Sequence, residues 1–272
     1  MINRNLRKVL DNFGINFTKT SQVLGLTKYS EIRDLLNRLR PIADNLNLIR
    51  VGGSGDGGYV IPDDLEGISA CFSPGSAGYW KFEKDLWEKF KIPSYICDVE
   101  EEKPNDLNEA QIFDIGWVGP ANSKGFFTLD DWVKKHGHLD GNGELILQMD
   151  IEGAEYLTLL SMSDHLLSKF RIMVIEFHHF EAIRNLHAFT LVYKPLFDRL
   201  LSHFDVAHIH PNNCCGEWWH SDLRFPVIFE LTLIRKDRSQ FLKVQSCKYE
   251  NLDSPNNPSK KDLIIQWPKQ MS

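Results

Sequence analysis

The densest chemistry in the chain lies at Gln148-Met149-Asp150-Ile151-Glu152-Gly153-Ala154-Glu155, where an apolar run delivers three carboxylates in quick succession. Charges gathered at the end of a buried strand must be paired, solvated or metal-bound. Two further apolar runs end in Glu176-Phe177-His178-His179 and His208-Ile209-His210. Side chains alternate along a strand, so Glu176 and His178 share a face, His179 points away, and His208 and His210 share one. Asp150, Glu176, His178 and one of His208 and His210 can therefore meet at one point. Mixed carboxylate and imidazole donors suit a hard-to-intermediate divalent ion such as Mg²⁺, Mn²⁺ or Fe²⁺, with Asp150, Glu176 and His178 as its candidate ligands. The plain alternative for any single histidine is a hydrogen-bonded core position.

Upstream, an apolar run ends in Ser73-Pro74-Gly75-Ser76-Ala77-Gly78. Small residues there let a ligand approach the backbone, and glycine tolerates the tight turn. No G-x-G-x-x-G follows the strand, so a nicotinamide dinucleotide is the least fitting ligand. Asp98 closes the next strand about twenty residues on, where a carboxylate can accept both hydroxyls of a ribose. Asp114-Ile115 closes the third and offers an adenine a polar edge contact and an apolar face. A turn, a helix cap and a strand-end acid are the plain readings of these three, but together they point to an adenosine-containing cofactor.

These residues need a frame. From Gly67 onward short apolar runs alternate with helical patterns, the signature of a parallel sheet with helices on its faces. Strands are predicted at 68–73, 94–98, 111–115, 144–150, 171–177, 206–210 and 227–235, with helices over 80–90, 155–170 and 183–204. A loop of roughly fifteen residues joins the last two strands and permits an antiparallel final pair. A short last strand is predicted at 263–267. Before Gly67, Ile32, Leu35, Leu36, Leu39, Ile42 and Leu46 lay an apolar stripe along a helix that Pro41 divides. The glycine-rich RVGGSGDGGYVIPDD follows it, with a short strand at Tyr59 to Ile61. The chain thus divides into a helical extension with a Gly-rich loop (1–66) and an α/β domain (67–272).

The 272 residues, 42% of them apolar, suffice for one sizeable core. A formal net charge of -6 and a pI near 5.9 argue against nucleic acid as partner. No apolar run reaches the length of a membrane span, and the first seventeen residues do not read as a signal peptide. The five cysteines form no CxxC pair and are expected as buried free thiols in a reducing, cytoplasmic setting.

Phe127-Thr128-Leu129-Asp130-Asp131-Trp132, followed by the strand and LQMDIEGAEYLTLL, is similar to the LDD segment and the K-[IV]-D-[IV]-E-G-A-E motif of FkbM-type methyltransferases. That family lies within the class I S-adenosylmethionine-dependent group. The resemblance covers about residues 67 to 180. Gln148 stands where lysine is more usual, and SPGSAG replaces a D-x-G-x-N-x-G loop.

The resemblance implies a Rossmann-like class I methyltransferase fold, a seven-stranded, mostly parallel sheet with an antiparallel last strand. It also implies S-adenosyl-L-methionine as cofactor and O-methylation of a hydroxyl on a sugar, polysaccharide or small metabolite. Ser73, Gly75 and Ser76 would lie near the cofactor's methionine part and Asp98 near its ribose. The DGGYV segment, with Asp56 and Gly57, would fold over it, and Asp114 and Asp150 complete the expected cofactor contacts. Asp150, His178, His208 and His210 are the candidate catalytic residues, with Mg or Mn as accessory metal and one of His208 and His210 as base. Trp218, Trp219 and His220 are placed to line an acceptor pocket. Two rival readings use the same residues: a metal-dependent hydrolase, and a non-catalytic glycan- or protein-binding module on a degenerate fold.

Overall fold

Strand-forming runs bounded by glycine, proline and aspartate set the frame of this computed structural model, which describes residues 25–41, 46–99, 105–239 and 252–268. After helix α1 (Tyr29–Arg38) come a hairpin of β1 (Leu48–Val51) and β2 (Tyr59–Pro62), strand β3 (Ile68–Pro74), helix α2 (Lys81–Phe90), and strands β4 (Ser94–Asp98) and β5 (Gln111–Ile115). Two-residue strands β6 (Trp117–Val118) and β7 (Phe126–Phe127) precede α3 (Leu129–Lys135), β8 (Glu144–Met149), α4 (Glu155–Ser161), α5 (Asp164–Lys169) and β9 (Phe170–Phe177). The chain then runs through α6 (Lys194–His203), β10 (Phe204–Pro211), the hairpin β11 (Glu217–His220) and β12 (Leu223–Pro226), and β13 (Phe229–Arg235).

Seven strands pair in the order β10-β13-β9-β8-β3-β4-β5. β13 is antiparallel to both neighbours and the remaining pairs are parallel, as in a Rossmann-like class I methyltransferase. Strand order reverses between β3 and β8. A crevice opens outside the carboxyl ends at such a switch point, and here Asp150 N–H donates to Pro74 O across it (3.1 Å).

Alternation sorts the sheet into two faces. Phe72, Leu147, Met149, Ile175, Phe177 and Leu231 pack with α1 and α3 to α6, which contribute Leu36, Trp132, Leu159, Leu166 and Phe197. Cys71, Ile146, Ile172 and Val174 pack on the other face with Phe82 and Leu86 of α2 and Tyr59 and Ile61 of β2. Gln148, Glu176, Glu230 and Thr232 lie in register on that second face, and Thr232 ties it to the hairpin through Val60 O (2.7 Å).

The structure departs from the sequence reading where local hydrogen bonds outcompete helix propagation. The helix expected over 155–170 breaks at Met162–Ser163, because Ser163 is extended, accepts Leu166 N–H, and has its own N–H taken by Asp130. The helix expected over 183–204 is a 3-10 turn, a short α turn capped by Asn185, a π turn and α6, since Pro195 has no N–H to continue a regular ladder. β1 was not anticipated; its pairing with β2 makes the glycine-rich stretch a hairpin. The strand expected at 263–267 is a single bridge between Gln266 and Arg224. α1 ends at Arg38, three residues before Pro41, and Ile42 lies outside the described residues.

Cys71 and Cys97 are buried free thiols, whereas Cys214 is half-buried and Cys215 exposed, with their sulfurs 2.6 Å apart. Cys247 and the first 24 residues lie outside the described residues. Among those described, no helix is long and apolar enough to cross a membrane.

Candidate active site

Three loops converge at the switch point. The loop after β3 turns at Gly75, whose φ of +84° is left-handed and whose Cβ, were there one, would lie 1.5 Å from Asp150 O. Only glycine fits there. Asp98 at the end of β4 holds this loop, accepting Ser76 N–H (2.9 Å) and Ala77 N–H (3.0 Å) on Oδ2. The loop after β8 carries Glu152 at φ 54 and Gly153 at φ 104, and Ala77 and His179 are left-handed too. Left-handed non-glycine residues store backbone strain and gather at functional sites.

His178 is the centre of the carboxylate group. Its Nδ1 lies 3.0 Å from Glu155 Oε1, which also accepts the N–H groups of Ile151 and Gly153 (3.1 Å each). A carboxylate accepts, so Nδ1 carries the proton and Nε2 faces Glu152 Oε2 (3.4 Å), Asp150 Oδ1 (3.8 Å) and Glu176 Oε1 (3.9 Å). Burial lowers the His178 pKa, but Glu155's hydrogen bond and charge, with Asp150 and Glu152, outweigh it and hold the ring above its ordinary value. Burial also drives Asp150 well up, helped by Glu176 and opposed by His178. Glu176 rises for the same reasons, burial first and then Glu230, although Asn212 donates to it at 2.8 Å.

Asp150, Glu152 and His178 bring ligand atoms within 4.8 Å of one another. Of the three ligands expected from the sequence, Asp150 and His178 lie in this group together with exposed Glu152, whereas Glu176 Oε1 lies 3.9 Å from His178 Nε2 and accepts from Asn212. His208 and His210 do not join it. They sit on β10, with β13 between them and β9, and clasp Asp253 at 3.2 and 3.3 Å. Burial raises the Asp253 pKa, but hydrogen bonds from both rings outweigh it and hold the carboxyl well below its usual range.

Two cavities meet at Gly75, Ala77 and Asp150. The larger, about 180 Å³, is bounded by Asp98, Val99, Trp117, Val118 and Ile151. The smaller, about 40 Å³, is bounded by Asp56 and Gly57 of the hairpin loop, Tyr59, Ser76, Glu83 and Gln148. Ser73 is fully buried, its hydroxyl between Glu83 and Gln148 Oε1. Asp114 faces away from both cavities, binding Trp132 Nε1 (2.8 Å), Lys135 and His136 (2.5 Å each). Trp117 and Val118, just past Gly116 and the end of β5, line the larger cavity instead; an apolar pair shortly after a strand end is the signal for them. Glu83 was also missed, though it stands at helical spacing from Leu86, Trp87 and Phe90.

Trp218 is core, packed on Phe180 and Phe225, while Trp219 is exposed under Arg224 and His220 stacks on Tyr29. The LDD segment is architectural: Thr128 caps α3 through Asp131 N–H, and Asp130 grips the Ser163 cap of α5.

No curated protein matches the chain. Among solved structures, the 30S ribosomal A1408 methyltransferase from an uncultured bacterium aligns over 69% of this chain and 100% of its own. At 11% identity and a TM-score of 0.30 it bears on neither fold nor substrate. Residues 127–207, from β7 through the Asp150 loop and His178 into β10, match the family model of the methyltransferase FkbM domain, so this part of the chain is similar to the FkbM-type methyltransferases.

Proposed function

We propose that the chain is an S-adenosylmethionine-dependent O-methyltransferase acting on a hydroxyl of a sugar, polysaccharide or small metabolite, with a divalent metal as accessory. The observation that carries this reading is the pair of joined cavities at the β3/β8 switch point, an acid-and-apolar one under Asp98, Trp117 and Val118 and a polar one under Asp56 and Gly57. Gly75, whose missing Cβ lets the β3 loop pack directly on Asp150 O, borders both cavities.

The residues present fit the cofactor. Asp98 would take the ribose hydroxyls, Trp117 and Val118 the adenine faces, and Gly75 and Ser76 the methionine end, with Asp56 and Gly57 covering it. When bound, S-adenosylmethionine supplies a methyl group on a positively charged sulfur. In-line displacement requires acceptor oxygen, methyl carbon and sulfur to be nearly collinear, so the rigid glycine turn and the strained Glu152 turn serve to hold alignment.

A sugar hydroxyl is a weak nucleophile and needs help in losing its proton. The half-buried Asp150 and the Nε2 edge of His178 would receive it, and the protonated Nδ1 is pinned by Glu155. Asp150, Glu152 and His178 would equally hold Mg²⁺ or Mn²⁺, whose chemistry there is to lower the pKa of a bound hydroxyl. Trp219, exposed on the β11/β12 hairpin that follows β10, would offer the acceptor an aromatic face suited to a sugar ring.

Calorimetric titration with S-adenosylmethionine and S-adenosylhomocysteine, with and without Mg²⁺ or Mn²⁺, tests this. Binding at roughly micromolar Kd, about 8 kcal/mol, is expected; no binding in either condition overturns it.

A further inference from the structure

The smaller cavity has a feature that the alignment of catalytic groups leaves unused. Glu83 enters it from α2 with only 2% of its surface exposed. One carboxylate oxygen, Oε1, meets the Ser73 hydroxyl, and the other, Oε2, is buried with no hydrogen-bond partner. A buried carboxylate left half-satisfied is costly unless something cationic or protonated meets it.

The cavity supplies no such partner itself. Its walls include three acids, Asp56, Glu83 and Asp150, and neither lysine nor arginine. Of the other two acids, Asp56 accepts from the Asn256 amide (3.2 Å), and Asp150 turns Oδ1 toward His178 Nε2 at 3.8 Å without a hydrogen bond, which leaves Glu83 as the acid on the side of the cavity away from His178. The adjoining larger cavity, which shares Gly75, adds the apolar and aromatic surface of Val99, Trp117, Val118 and Ile151 to the acids Asp98, Asp150 and Glu152. A ligand filling both has a flat apolar end and a compact cationic end.

We infer that Glu83 is the residue that receives the α-ammonium of the cofactor's amino-acid end. This rests on the cofactor reading above and adds to it the group that recognises that end. An ammonium has three donors on one compact centre; Oε2 of Glu83 takes one of them. Ser73 and Gln148 then act as positioning residues: the Ser73 hydroxyl lies 2.5 Å from Gln148 Oε1, and Gln148 Nε2 donates to Tyr59 Oη (3.1 Å), fixing the carboxylate plane from behind. Burial raises the Glu83 pKa to about 7 against the opposing Ser73 hydrogen bond. An ammonium alongside would pull it back down.

The test compares S-adenosylhomocysteine with its desamino analogue, which keeps the carboxylate and lacks only the α-ammonium, on wild type and on Glu83→Gln, by calorimetry. Wild type is expected to prefer S-adenosylhomocysteine by at least about tenfold, and Glu83→Gln to shrink that preference to roughly twofold, as loss of a buried charge-assisted hydrogen bond requires. The wild-type ratio needs no variant, and the isosteric change keeps the fold, which a thermal melt checks. A wild-type ratio near one, or an undiminished ratio in Glu83→Gln, overturns the inference while leaving the cofactor reading standing. Binding of neither ligand by wild type removes the cofactor reading and the inference with it.

Discussion

Glu155 has no exposed surface and holds His178 Nδ1 at 3.0 Å, so the orientation of the one histidine at the carboxylate group is set from behind. The same oxygen gathers the backbone N–H groups of Ile151 and Gly153, which ties ring orientation to the shape of the Asp150 loop. Support of this kind fixes both the tautomer and the basicity of a ligating imidazole.

Glu155→Gln should therefore weaken Mn²⁺ binding about 10- to 100-fold and lower stability by roughly 1–3 kcal/mol through the lost buried hydrogen bonds. Electron paramagnetic resonance titration of Mn²⁺ and urea unfolding measure the two. Unchanged Mn²⁺ affinity in a folded variant would show that His178 is not a ligand.

Glu83 makes stability fall as pH rises. Its folded pKa is raised from 4.5 to about 7, so between those values the unfolded chain has released a proton that the folded chain keeps, and folding grows less favourable with pH. Below about pH 4.5 the effect is absent; above about pH 7 the penalty is complete, roughly 3 kcal/mol. Glu83→Gln removes it, and the variant should be the more stable protein at pH 8 but not at pH 4.5. Urea unfolding at the two pH values checks this, and equal offsets at both would show that Glu83 does not titrate in this range.

Gly75→Ala places a methyl group against Asp150 O in a left-handed turn. The variant should lose S-adenosylhomocysteine binding by more than about 100-fold, because the loop and the Asp150 strand end must separate to admit the Cβ. It should also lose about 1–3 kcal/mol of stability. Calorimetry on the folded variant decides it: binding within a few-fold of wild type would mean that this turn does not border the ligand.

The parallel sheet was legible because its strands are buried on both faces and read as apolar runs, and the switch point followed from their order. Asp98 and Asp150 were legible as acids closing such runs. Glu152 was visible in the same cluster, yet its approach to His178 depends on a left-handed turn that brings an exposed side chain round to the ring, and spacing does not encode that. The convergence expected of His208 and His210 failed on one strand: β13 inserts between β9 and β10, so residues adjacent in chain order lie two sheet positions apart. Their partner, Asp253, comes from a segment without regular structure, for which periodicity offers no signal.

Proton removal at this site should depend on Asp150 and His178 and not on the β10 histidines. Release of S-adenosylhomocysteine with hydroxylated acceptors should fall at least about 100-fold in Asp150→Asn and in His178→Ala, in line with the loss of a positioned base. His210→Gln should keep turnover within a few-fold, since His210 pairs with Asp253 and lies opposite Glu230 of β13, with β13 between it and β9. Intact turnover in both Asp150→Asn and His178→Ala would remove the carboxylate-histidine group from the chemistry. A deep loss in His210→Gln with a normal melt would instead make the buried row from Glu176 through Glu230 to His210, in register across three strands, a route by which the proton leaves.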